Sequence, residues 1–232
     1  MSWCRRNFMK KINAFSLLLF SILIFSFQNK KTKKVIFFGD SITLAGGQPG
    51  GYIVRMADSL KAKGINDYNF KAAGVGYDKV YDLYLRIKED VLNQHPDIVV
   101  IFEGVNDVGH KSGMHTGTDI EKYERFYRAI IKKLQHQKIK PVLCTMAVIG
   151  EKKNNENNDD KELDAYADII RKIAKELNLP LVDLRTAFKN YYLTNNTNNQ
   201  EKNVLTKDGI HFNEKGHQLA ADLIWNILKD VK

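Results

Sequence analysis

Residues 35–43 read VIFFGDSIT: four apolar residues run into Gly39, and the polar Asp40, Ser41 and Thr43 follow at once. An uninterrupted apolar run of this length, closed by a glycine, suits a strand buried on both faces of a parallel sheet. The same unit recurs downstream. Segments 68–72, 98–102, 142–146 and 181–184 read as further strands, and three of the five are apolar almost throughout. Helical stretches are predicted between them at 51–64, 78–94, 119–138, 160–178 and 214–230. In the third, Tyr123, Phe126, Tyr127, Ile130, Ile131 and Leu134 recur at helical spacing as one apolar stripe. Pro96, Pro141 and Pro180 each stand before a strand and close the helix that precedes it. The alternation predicts one doubly wound α/β domain over 35–232, with five parallel strands and no internal repeat.

The whole chain has 232 residues, 44% of them hydrophobic, and a net charge of +9. Eight of its 36 basic residues lie within 1–34, which holds no acid; the remaining 28 face 27 acids, so the body is electrostatically balanced. No nucleic-acid partner is predicted, because that needs a basic stripe on the folded domain. Two cysteines are too few for a disulfide framework or a Cys-rich zinc module, and Cys144, inside an apolar strand, reads as a packed thiol.

Residues 1–34 form a separate segment. The run 14–27, AFSLLLFSILIFSF, follows Met9-Lys10-Lys11 and has the length of a signal-peptide core rather than of a membrane span. Export to the periplasm or medium is the expectation, with an uncleaved membrane tether as the alternative and membrane contact limited to this leader. Lys30, Lys31, Lys33 and Lys34 follow it as a basic linker. No cysteine stands just after the run, so lipoprotein anchoring is not expected.

In an open parallel sheet, ligands bind at the carboxyl ends of the strands. The polar residues of this chain gather there: Gly39-Asp40-Ser41 after the first strand, Ala73-Gly74-Val75-Gly76 after the second, Gly104-Val105-Asn106-Asp107 after the third, and Asp208-Gly209-Ile210-His211 before the last helix. A serine needs a base to take its proton, and the base needs a third group to hold its tautomer. Ser41, His211 and Asp208 fit those roles, and a separation of three lets the carboxylate reach Nδ1 in a tight turn. Acyl transfer also needs donors for the developing oxyanion, and the backbone N–H groups of Ser41 and Gly74 with the Asn106 side-chain amide supply three. Asp40, Asp107 and His110 are placed beside the substrate, with Asp107 also suited to fixing its loop. Glu103 is expected to be ion-paired or to face the cleft rim. His217 reads as a helix-face residue, and the glycine-rich 46–51 as a flexible rim beside Ser41. His110 and His115 have no carboxylate or cysteine to complete a metal set, and no metal or organic cofactor is expected. The polar tracts 151–160 and 194–200 read as solvated loops. Asn195-Asn196-Thr197 matches a glycosylation acceptor too short to carry weight.

The blocks GDSIT, the internal glycine turn, GVND and DGIH, in this order, resemble the four conserved blocks of the SGNH (GDSL) hydrolase family, and the likeness spans 35–232. It implies a flavodoxin-like three-layer α/β/α fold and an esterase, lipase, thioesterase or carbohydrate deacetylase. It matches Ser41 to the nucleophile, Gly74 and Asn106 to the oxyanion donors, and Asp208 with His211 to the rest of the triad. One departure is Ala72, where family members often carry Asn two residues before the second-block glycine. With no long apolar lid near the cleft loops, short-acyl esters such as acetylated sugars are the expected substrates. A lysophospholipase or thioesterase acting on longer chains, acyl transfer to a hydroxyl other than water, and a non-catalytic carbohydrate-binding domain remain open. The oligomeric state is not legible.

Overall fold

Strand β1 (Lys33–Gly39) is the hub of the computed structural model, which describes residues 32–231. It pairs in parallel with β2 (Tyr68–Gly74) on one side and β3 (Ile98–Phe102) on the other. Then come β4 (Lys140–Cys144) and the two-residue β5 (Leu181–Val182), giving the order β2-β1-β3-β4-β5, all parallel. This is the flavodoxin-like order, whose direction of winding switches between β1 and β3 and opens a crevice at their carboxyl ends. The expectations placed on residues 1–31 lie outside the described residues.

The helices explain the three layers. Helix α1 (Ser41–Gly46) follows β1 directly and leads to α2 (Tyr52–Ala62). Then follow α3 (Val80–Asp90), α4 (Val105–Gly109), α5 (Ile120–His136), α6 (Asp160–Glu176), α7 (Leu184–Asn195) and α8 (Glu214–Leu228). Helices α2 and α8 pack together on one side, while α5 packs between α3 and α6 on the other. The stripe on α5 is buried at Tyr123, Tyr127, Ile130, Ile131 and Leu134, and Phe126 sits half-buried against Tyr84. The two buried phenols reach carbonyls of β3 and its end: Tyr123 donates to Glu103 O (2.8 Å) and Tyr127 to Ile101 O (3.4 Å). Burial of the rings thus leaves no phenolic donor unmet.

Several boundaries differ from the sequence reading, each for a physical reason. The domain begins two residues earlier than 35. Lys33 and Lys34, counted with the basic linker, belong to β1, where Lys34 N–H donates to Asp97 Oδ2 and Lys33 Nζ to Val231 O. Strand β4 starts at Lys140 and includes Pro141, paired with Val99. The proline is tolerated because its missing N–H lies on the β5 side, and β5 is too short to reach it: Leu143 is the first β4 residue bonded there, through its N–H to Pro180 O. The short α1 and α4 carry no long apolar period and were not anticipated; α7 was missed although Leu184, Phe188, Tyr191 and Tyr192 recur along it at helical spacing. Cys144 is fully buried, and burial pushes its thiol pKa up.

Candidate active site

Ser41 is the first residue of α1. Asp40 caps that helix, its Oδ1 accepting Ile42 N–H at 2.8 Å, so the chain leaves β1 and enters the helix with no intervening loop. Gly74, at the end of β2 and in register with Gly39, completes the turn. A Cβ at 74 would lie 2.1 Å from Leu44 N and 2.6 Å from Asp40 O, so only glycine lets β2 close on the backbone that carries Ser41. Glycines 46 and 51 are equally confined, by the Tyr52 ring and by Ala45 O, so the 46–51 segment is packed at both ends while residues 48–50 between them are exposed.

On the other side of the crevice, α4 places Asn106 near the same opening, and its Nδ2 donates to Asp78 O at 2.9 Å. That uses one of the two amide hydrogens and leaves the other available to a substrate. The fourth block comes to the same place from the far end of the chain. Ser41 Oγ and His211 Nε2 are 3.0 Å apart across 170 residues. His211 Nδ1 and Asp208 Oδ2 are 2.7 Å apart. Asp208 Oδ1 also accepts the backbone N–H groups of Ile210 (2.9 Å) and His211 (2.8 Å). Burial raises the Asp208 pKa, but the bonds from the His211 side chain and from both N–H groups outweigh it and hold the carboxyl below its ordinary value. The pair is open to water, with 42% of the His211 and 54% of the Asp208 side chain exposed. Serine, imidazole and carboxylate form one hydrogen-bonded line, and a carboxylate on Nδ1 leaves Nε2 free to accept from the hydroxyl.

Not every residue expected at the substrate does face it. Asp40 and Asp107 are buried, at 2% and 0% exposure. Asp40 is spent on the cap of α1, and both Asp107 carboxylate oxygens accept Val80 N–H at 3.2 Å, tying α4 to the start of α3. Both are therefore struts beneath the site, the loop-fixing role suggested for Asp107. Glu103 is neither paired with a cation nor on the rim. It is buried, and Oε1 accepts Gly104 N–H at 2.9 Å. Burial, reinforced for Glu103 by the neighbouring carboxylates, pushes all three acids up: Asp40 and Asp107 to about 7, Glu103 well above its ordinary value. His110 is half-buried, with its ring beside Tyr77 (centroids 5.8 Å apart). His217 is buried, stacked on Tyr52 and edge-on to Phe212, and burial lowers its pKa to about 4.

The sequence reading missed what holds the Asp208–His211 loop. Glu151, in a tract read as solvated, is fully buried. Its carboxylate accepts three consecutive backbone N–H groups, from Val204 (2.6 Å), Leu205 (2.7 Å) and Thr206 (2.6 Å), and faces the Tyr192 hydroxyl at 3.4 Å. Thr206 Oγ1 in turn accepts Gly209 N–H (3.0 Å), Lys207 N–H donates to His211 O (2.8 Å), and Gly150 N–H donates to Gly209 O (2.8 Å). Asn196, from the other tract read as solvated, is also buried and donates to Glu151 O at 2.7 Å. A buried carboxylate served by several N–H groups is a strong, geometrically demanding anchor. Its only local signal is a glutamate directly after Gly150, which composition cannot tell from a surface charge.

Similarity to known proteins agrees with this geometry. The sequence model of the GDSL-like lipase/acylhydrolase family matches residues 37–219. The crystal structure of an acetyl xylan esterase, AlAXEase, aligns with a TM-score of 0.82 at 52% identity, over 83% of this chain and 98% of that one. An acetylxylan esterase of Geobacillus stearothermophilus is 27% identical over 208 residues, 82% of this chain and 90% of that protein. A catalytic mutant of an acetylxylan esterase from that organism, with an aspartate replaced by alanine, aligns with a TM-score of 0.76 at 25% identity, over 87% and 96% of the two chains. A five-stranded parallel sheet with Ser41 at its switch point, matched over most of its length, places the chain in the GDSL-like lipase/acylhydrolase family, as a carboxylic ester hydrolase.

Proposed function

We propose that the chain removes acetyl groups from carbohydrate esters, with Ser41 as nucleophile, His211 as general base and Asp208 as the group that orients His211. The observation that carries this reading is the 3.0 Å contact between Ser41 Oγ and His211 Nε2, continued by the 2.7 Å contact from Nδ1 to Asp208. As Oγ attacks the ester carbonyl, Nε2 takes its proton, and Asp208 stabilises the imidazolium without itself being protonated. The carbonyl oxygen becomes an oxyanion met by Ser41 N–H, an orphan donor of the first turn of α1, by Gly74 N–H and by the second hydrogen of Asn106 Nδ2. The imidazolium then gives its proton to the departing alkoxide, which leaves as the alcohol. Water, deprotonated by the same imidazole, repeats the addition on the acyl-enzyme and frees acetate and the serine.

The openness of the pair formed by Asp208 and His211 favours a bulky alcohol over a long acyl chain, which needs an enclosed apolar tunnel. The acetylxylan esterases among its relatives support the same substrate class. The apolar run at 14–27 supports export, where polysaccharide is met. Two measurements test the reading. Ser41→Ala is expected to lower p-nitrophenyl acetate hydrolysis by about 10⁴-fold or more with an unchanged thermal midpoint; undiminished turnover removes Ser41 from the reaction. A series of C2 to C12 esters is expected to peak at C2, and a peak at C8 or beyond replaces the acetyl reading with a long-chain one.

A further inference from the structure

The loop between β2 and α3 presents an aromatic ring to solvent at a conformational cost. Tyr77 is 68% exposed and has φ of +66°, the left-handed region that glycine and asparagine occupy cheaply and an aromatic residue rarely does. Its neighbours are firmly held. Lys79 Nζ donates to Tyr77 O at 2.6 Å, and the Asp78 carboxylate is gripped by Arg86 Nε at 2.6 Å. An exposed ring on a strained backbone, just ahead of two anchored residues, adds nothing to the core.

Its position relates it to the reaction. Asp78, the next residue, is the one whose carbonyl takes Asn106 Nδ2, so Tyr77 lies one residue from the partner of the oxyanion amide. His110 lies one helical turn beyond Asn106, its N–H donating to Asn106 O at 3.1 Å. The two rings approach with centroids 5.8 Å apart and planes tilted by 35°. Burial and the nearby Lys79 charge lower the His110 pKa.

We propose that Tyr77 and His110 form a stacking platform for a sugar ring in the alcohol part of the ester. A pyranose shows a face of C–H groups polarised against the negative face of an aromatic ring, and aromatic side chains give large contact area with little rotamer entropy to lose. A simple alkyl acetate such as ethyl acetate has no ring to lay there. The platform therefore selects the alcohol, while the triad and the oxyanion donors act on the acetyl group. This inference rests on the carbohydrate ester reading above.

The test compares acetylated xylobiose with ethyl acetate in the full chain. Tyr77→Gly removes the ring and relieves the left-handed strain, so the fold is not at risk. The ratio of kcat/KM for acetylated xylobiose to that for ethyl acetate is expected to fall about tenfold, mainly through KM of the sugar ester. Tyr77→Phe is expected to restore the ratio to within about threefold of the natural chain, and His110→Ala to lower it about threefold. If the natural chain deacetylates xylobiose and Tyr77→Gly leaves the ratio unchanged, the platform is wrong and the carbohydrate reading survives. If the natural chain hydrolyses p-nitrophenyl acetate but no acetylated sugar, both fall.

Discussion

The turn that carries Ser41 and the loop that carries Asp208 and His211 meet at one point but are built by opposite means. The serine turn grows from the central strand of the sheet. Gly39, Asp40 and Gly74 pack backbone against backbone, and Asp40 is 2% exposed. The acid–base loop has no strand beneath it beyond the isolated bridge of Thr206 to Phe212, and both its functional side chains are open to water. It is held at its base by one buried side chain, Glu151, which gathers three N–H groups, and above that by backbone bonds within the loop and to Gly150. Catalytic geometry needs accuracy on both sides, since a misplacement of about 1 Å costs on the order of 10²-fold in rate. Here a sheet supplies it on one side, and a buried anion held by backbone donors supplies it on the other.

This contrast can be broken at three points. The largest effect is expected within the loop itself. Asp208→Asn keeps an oxygen for the two backbone donors but disturbs the His211 tautomer, and kcat is expected to fall about 10³- to 10⁴-fold. A fall under tenfold in steady-state kinetics means that the carboxylate does not orient the base.

Glu151→Gln is next. It turns one carboxylate oxygen into an NH₂ that faces a backbone N–H, and no rotation of the amide satisfies all three donors. A loss of about 3 kcal/mol in stability is expected, as for a buried hydrogen-bonded group left unmatched. A 10- to 100-fold lower kcat per titratable serine should accompany it. Thermal unfolding with active-site titration separates the two effects. A normal kcat per titrated site would show that the loop keeps its geometry without the anchor.

The smallest effect is in pH dependence, where the two regions have opposite signs. Asp40, Asp107 and Glu103 have raised pKa values in the fold, so between about pH 4 and 7 the folded chain binds more protons than the unfolded one. The stability they contribute is complete below the ordinary carboxylate range and is lost as pH rises through about 7. Asp208 has a lowered pKa, so its contribution is kept above that range and lost as pH falls below it. The thermal midpoint is expected to drop by a few degrees from pH 5.5 to 8.5, and Asp107→Asn to flatten that slope. A midpoint that climbs over the same interval would mean that these acids are ionised in the fold.

The serine side was the legible one. VIFFGDS announces a buried strand that ends in a polar turn within one short window, because the signal is local. The same locality misplaced Asp40 and Asp107. A carboxylate at a strand end reads as pointing toward a ligand unless one knows that Ile42 and Val80 N–H groups await it. The tract EKKNNENNDD hid Glu151 for the complementary reason: its partners are about fifty residues away, and its neighbours are polar.

What the sequence by itself determined is the alternation of apolar runs and amphipathic helices, and with it the parallel sheet and the clustering of four polar blocks at its carboxyl edge. Periodicity reports which residues are buried, and burial by hydrophobic pattern specifies layers and topology. Only the tertiary structure decided which carboxylates are buried against backbone donors and which are open to water, where Pro141 fits, and what holds the exposed His211 in place. The reason is physical: the fate of a polar group depends on the donors and acceptors that meet it, and here those come from distant parts of the chain.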